Sequence, residues 1–169
     1  MKIKLTAVKR EDKEILRNLM EKYDYELSQY GNDDVNKLGL YGFDYLDNYW
    51  QEGAKRWAFF ISVNGKLAGF AMIISDYFYL DGRETDYVMS DFFVMYKYRN
   101  AGVGKFAANY LFDKFKGIWQ LNTIDKNIGS IEFWKKVIGD YTDNTYEIFP
   151  NEKLGAGHNV FIFTTVKPM

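Results

Sequence analysis

The stretch Arg99-Asn100-Ala101-Gly102-Val103-Gly104-Lys105 joins an apolar run ending at Met95 to a run with helical spacing. Glycines there let a backbone approach an anion closely. The first N–H groups of the helix have no intrahelical partner, and the helix dipole favours negative charge beside them. The side chains of Arg99 and Lys105 can add positive charge. The same residues also make an ordinary tight turn, and neither a P-loop nor a complete dinucleotide fingerprint is present. A second feature is Asp91, a carboxylate immediately before the apolar run Phe92-Phe93-Val94. A third is an acidic, tyrosine-rich region holding Tyr23, Asp24, Tyr25, Glu26, Tyr30, Tyr41, Asp44, Tyr45, Asp47, Tyr49 and Trp50. Carboxylates beside aromatic faces suit a cation, although a tyrosine-rich core edge with solvated acids has the same composition.

These groups need elements to hold them. Lys4–Val8 reads as a first strand, and the apolar spacing from Glu11 to Tyr30 predicts a helix. Phe43–Gln51 reads as a short aromatic second helix. Trp57–Val63 and Leu67–Ile74 flank Asn64-Gly65, a strong hairpin signal because both positions tolerate positive φ. A turn at Asp81-Gly82 leads into Asp86–Met95, whose centre is apolar on both faces, as in a covered central strand. A helix is expected from Gly102 to before Gly117, a strand over Ile118–Ile124, and a helix over Asn127–Ile138 capped by Asp125 or Asn127. Tyr141–Phe149 and Asn159–Val166 close the chain as a hairpin with its tip at Gly155–Gly157. Strand alternation places Asp91 on the face opposite Phe92 and Val94.

Composition narrows the function classes. The 169 residues are 47% hydrophobic and 27% charged, with no linker-like tract, so a single domain over residues 1–169 is expected. No apolar run approaches the roughly 20 residues of a membrane span, and the start of the chain lacks a secretory signal pattern. With no cysteine there is no disulfide, thiolate nucleophile or cysteine metal site; this fits a cytoplasmic location. A single histidine, His158, argues against a Ser-His-Asp triad and a multi-histidine metal site. A net charge of −1 argues against a nucleic-acid partner. Acids dominate from Glu21 to Glu52 and bases from Lys97 to Lys116, which suits an anion at one place and a cation at another, or two solvated faces.

Arg99-x-x-Gly102-x-Gly104 resembles the [RQ]-x-x-G-x-[GA] motif of the GNAT superfamily of N-acetyltransferases. Asn127-x-x-Ser130-x-x-Phe133-Trp134 is similar to that family's N-x-x-[SA]-x-x-[FLY]-[YFW] signature on the next helix. The element order also matches, so the resemblance covers nearly the whole chain, with its specific part between Asp86 and Gly139. It implies an α+β fold: a mixed, mostly antiparallel, twisted sheet of about seven strands with about four helices, in the order β-α-α-β-β-β-α-β-α-β-β.

The resemblance also implies acetyl-CoA as acyl donor and no metal. The fourth and fifth strands would splay apart around the pantetheine arm, with backbone groups of Phe93 and Val94 bonding it and the thioester. Backbone amides from Arg99 through Asn100, Ala101, Gly102, Val103 and Gly104, with Lys105, would hold the pyrophosphate. Asn127 would bond the pantetheine, besides or instead of capping its helix, and Ser130, Phe133 and Trp134 would line the cofactor site. Asp91 would be the general base, directly or through water, with Asp86 and Glu84 ranking after it, and a primary amine of a small cationic acceptor would attack the thioester directly. Trp134 stands where many relatives carry a tyrosine acid, so a proton for the leaving thiolate must come from water or another tyrosine. The first two helices and the late hairpin would wall the acceptor pocket, with His158 either lining it or on the surface. A silent acyl-CoA-binding module, acylation of a protein amine, and a homodimer also accord with the resemblance.

Overall fold

Strand pairing fixes where every candidate residue lies. The computed structural model describes residues 1–75, 84–150 and 157–166. Seven strands form one sheet: β1 (Ile3–Ala7), β2 (Arg56–Val63), β3 (Lys66–Ser75), β4 (Tyr87–Val94), β5 (Ile118–Ile124), β6 (Tyr146–Pro150) and β7 (His158–Thr164). Their order is β1-β2-β3-β4-β5-β7-β6, antiparallel except for β4 beside β5. The β2–β3 hairpin turns on Asn64 and Gly65, both at positive φ and flanked by the pair Val63–Lys66, a two-residue type I′ geometry. The expected turn at Asp81-Gly82 and the hairpin tip at Gly155 lie outside the described residues.

Helices cover both faces. On one side, α1 (Lys13–Leu27) buries Leu16, Leu19 and Met20 against Phe70, Met72 and Phe93, together with Leu46 and Tyr49 from Asp44–Trp50. On the other, α2 (Val103–Lys114) and α3 (Ile128–Thr142) pack over Trp119, Leu121, Phe161 and Phe163. Val103, Ala107 and Leu111 of α2 recur at four-residue spacing, so one stripe carries the contact.

Three boundaries differ from expectation. The second helix, Asp44–Trp50, is 3₁₀ rather than α, as suits a short segment anchored by two buried side chains. The first α-helix begins only after a 3₁₀ turn at Arg10–Asp12 and stops at Leu27. Tyr141, expected in a strand, lies in the last turn of α3, because the helix continues until Asp143 and Asn144 take left-handed conformations. Among the described residues no helix is long and apolar enough to cross a membrane.

Candidate functional site

The two central strands part where the candidate residues gather. β4 pairs with β5 only through Tyr87, Val88 and Met89, opposite Trp119, Gln120 and Leu121. Just beyond, β4 carries a bulge: Met89 partners Ile73 and Asp91 partners Met72, leaving Ser90 as the extra residue. The second half of β4 therefore bends away from β5 with one backbone edge unpaired by it. Met95 N–H donates to Ala68 O at 2.8 Å, and antiparallel partners alternate between bonded and non-bonded pairs. Phe93 consequently exchanges hydrogen bonds with Phe70, and a Cβ on Gly69 would collide with the Phe93 carbonyl oxygen. The expectation for Phe93 backbone groups shifts to its neighbours: it is the N–H and C=O of Phe92 and Val94 that point into the opening.

The loop leading to α2 has the geometry of an anion cradle. Asn100 and Gly102 take positive φ, turning the chain so that α2 starts at Val103 without a side-chain cap. The first intrahelical bond runs from Phe106 N–H to Gly102 O, so the N–H groups of Val103, Gly104 and Lys105 have no helical partner. Arg99 N–H is used in the preceding turn, donating to Tyr96 O, so the free amides begin after it. A Cβ at Gly102 would meet open space. One at Gly104 would lie 2.9 and 3.0 Å from ring carbons of Phe133, so Gly104 is required for helix–helix contact as well. Neither basic side chain points at the cradle. Lys105 pairs with Asp140 of α3 at 2.7 Å, and Arg99 pairs with Glu26 of α1 at 2.6 Å while its Nε donates to Val94 O at 2.7 Å.

On the α3 side, Asn127 caps the helix: its Oδ1 accepts from Ser130 N–H at 3.1 Å. Trp134 is buried against Phe92, with ring centroids 5.0 Å apart, and Phe133 stacks on Phe92 at 5.9 Å. Trp134 thus belongs to the core beneath the opening and offers no acid.

Asp91 faces the α1 side with Phe93, where it meets the acidic, aromatic region. Desolvation raises its pKa to about 6, against an opposing hydrogen bond from Ser90. Asp24 is also pushed up to about 6, by burial first and then by the charge of Asp91. Tyr23, Tyr45 and Tyr49 rise by burial and feel the same carboxylate; Tyr49 reaches about 12. Tyr49 OH lies 3.2 Å from Ser90 Oγ, fixing the 3₁₀ helix to the bulge. The structure therefore gathers Asp91, Asp24, Tyr23, Tyr45 and Tyr49 at one place. It leaves out Asp44 and Asp47, which are exposed, the latter paired with Lys13 at 2.9 Å. Tyr25 is 74% exposed.

The lesser candidates separate cleanly. Asp86 accepts from Ile118 N–H at 2.7 Å and abuts Gly117, at the joined end of β4 and β5, so it staples the strands. Glu84 is exposed before β4. His158 is half-buried opposite Ile124 at the open end of β5. Two residues escaped sequence reading. Ser90 is the bulge, a register fact that no local pattern encodes. Gln120 is fully buried with neither amide atom hydrogen-bonded, and its partner Val88 puts it on the Asp91 face. A glutamine inside an otherwise apolar strand was the signal available for it.

Comparison with known proteins bears on the family and the fold. The family described as acetyltransferase (GNAT) family matches residues 16–139. Among solved structures, an acetyltransferase from Thermus thermophilus superposes with a TM-score of 0.71 at 12% identity, covering 97% of each chain. A GNAT-family acetyltransferase from Staphylococcus aureus gives 0.64 at 16% identity over 98% of this chain and 100% of its own. An aminoglycoside 6′-N-acetyltransferase complexed with coenzyme A gives 0.63 at 15% identity over 98% and 99%. At these identities the likeness carries the fold. Among curated proteins, none matches the chain.

Proposed function

The chain belongs to the acetyltransferase (GNAT) family and is an acetyl-CoA-dependent N-acetyltransferase, and we propose that its acceptor is a small cationic amine bound between α1, the 3₁₀ helix Asp44–Trp50 and β4. Acetyl-CoA supplies the acyl group as an activated thioester. In this reading residues 1–169 work as one domain, and the cofactor pyrophosphate rests on the amides of Gly102, Val103, Gly104 and Lys105, with Asn100 and Ala101 shaping the turn. The cradle fits: its amides lack helical partners, and a ligand meets no side chain at Gly102. The pantetheine lies along the outward edge of β4, near Asn127 and over Phe133. Val94 N–H donates to the carbonyl oxygen, a bond that strengthens as charge develops there and so lowers the barrier.

The observation carrying the acceptor class is the position of Asp91. It sits at the bulge where β4 leaves β5, beside Asp24 and three tyrosines. A carboxylate with a pKa near 6 is ionised at neutral pH and can accept, directly or through water, the proton that the amine nitrogen sheds as it attacks the thioester carbon. Asp24 and the tyrosine faces hold a second positive charge by Coulomb and cation–π attraction. Thiol release from acetyl-CoA, measured against diamines, aminoglycosides, amino acids, neutral amines and peptides, tests this. Multiply charged small amines are expected to give the highest kcat/KM, falling with salt. Preference for neutral amines or peptides would overturn the acceptor class, and tight CoA binding without thiol release under any amine would identify a silent module.

A further inference from the structure

We infer that Arg99 positions the end of β4 rather than binding phosphate, and that through Glu26 it joins the cofactor strand to the acceptor helix. This rests on the acyl-transfer reading above. Three observations carry it. First, the guanidinium lies on the α1 side of the sheet: it is 5.7 Å from the centroid of Phe93, whose ring packs against Tyr23 and Phe70 there. The helix start that cradles an anion belongs to α2, on the opposite face. Second, Arg99 is occupied. Its Nε donates to Val94 O at 2.7 Å, its Nη2 reaches Glu26 Oε2 at 2.6 Å, and the Tyr96 ring lies 5.6 Å away. Third, the carbonyl it takes is that of Val94, one of the two residues whose backbone faces the opening. That peptide is held at both ends, its Met95 N–H by Ala68 O of β3 at 2.8 Å and its Val94 O by the guanidinium, which takes the place of a second strand on the edge β5 has left.

The fork of an arginine is suited to this and a lysine is not. Two N–H groups at a fixed angle serve a carbonyl and a carboxylate at once, whereas a lysine offers one point charge. Glu26 completes the link: one turn back along α1 lie Tyr23 and Asp24 of the acceptor cluster. A shift of α1 is thus transmitted to the Val94–Met95 peptide and, through the Val94 Cα, to the adjoining peptide that carries Val94 N–H, which must sit within hydrogen-bond range of the oxygen it polarises.

The test compares acetyl-CoA with S-acetyl-pantetheine, a donor lacking phosphates, using the best acceptor of the wild-type protein. Arg99→Gln is expected to lower kcat by the same factor, about 10-fold or more, with both donors, leaving the Kd of CoA within about 3-fold. Glu26→Gln is expected to give part of that loss, non-additively with Arg99→Gln. Arg99→Lys, which keeps the charge, should behave like Arg99→Gln. A weakened CoA affinity together with unchanged turnover of S-acetyl-pantetheine would overturn the inference and make Arg99 a phosphate ligand. So would full activity in Arg99→Lys, the deciding variant if Arg99→Gln fails to fold. A wild-type protein that releases no thiol would instead strike at the acyl-transfer reading.

Discussion

Asp91→Asn separates charge from shape at the centre of the site. The folded protein holds the Asp91 proton with a pKa of about 6, raised from the usual 3.8. The folded state therefore binds the proton more tightly than the unfolded chain. Stability from this group is complete below about pH 4 and is lost as pH rises from about 4 through about 6. Above that the ionised carboxylate costs folding about 3 kcal/mol, the ceiling set by about two pKa units at about 1.4 kcal/mol each. Asparagine is neutral and nearly isosteric, so Asp91→Asn should be more stable than wild type at pH 8 by up to about 3 kcal/mol, a rise in Tm of about 6–12 °C. At pH 4 the difference should shrink towards zero. Turnover should fall by about 100-fold, since the proton acceptor is gone. Thermal unfolding followed by circular dichroism at pH 4, 6 and 8 reads the first effect, and thiol release the second. Equal Tm values at pH 8, or the same gain at pH 4 and pH 8, would refute a desolvated carboxylate at this position. Because the charge of Asp91 helps to raise Asp24, the Asp24 pKa should also drop in the variant, which carboxyl carbon chemical shifts would register.

Gly104→Val should cost about 1–3 kcal/mol and weaken CoA binding more than about tenfold by calorimetry, because the added carbons meet the Phe133 ring. Gly104→Ala combined with Phe133→Leu should recover most of the affinity. Gln120→Met, replacing a buried amide that has no partner, should raise stability by about 1 kcal/mol in denaturant unfolding. Asp86→Ala removes the acceptor of Ile118 N–H and should cost about 1–2 kcal/mol in the same assay with kcat unchanged, unlike Asp91→Asn.

The fold was legible because its signals are local. Asn64-Gly65 demanded a hairpin, the spacing of Val103, Ala107 and Leu111 demanded a helix, and the glycines after Arg99 marked a helix start. Alternation also placed Asp91 opposite Phe92 and Val94, as found. What stayed hidden depends on register and long-range pairing. Ser90 is a bulge only because β3 and β4 slip by one residue there, and that slip decides which β4 backbone groups face the opening. The partner of Arg99, Glu26, is 73 residues away, so nothing near Arg99 tells its side chain to face α1 instead of an anion. Asp86 read as a carboxylate on the right strand, yet it lies at the joined end because β5 begins beside it. Gly104 reads as close approach to a ligand, while the atoms it clears belong to Phe133.

The account depends on a diphosphate held by the first amides of α2 and a thioester laid along the outer edge of β4. Titrating ¹⁵N-labelled protein with acetyl-CoA and following each backbone amide tests both at once. Val94, Gly102, Val103, Gly104 and Lys105 should shift and saturate together, with Phe93 changing far less because its amide is paired to β3. Saturable binding that leaves the amides of residues 102–105 unmoved would contradict it.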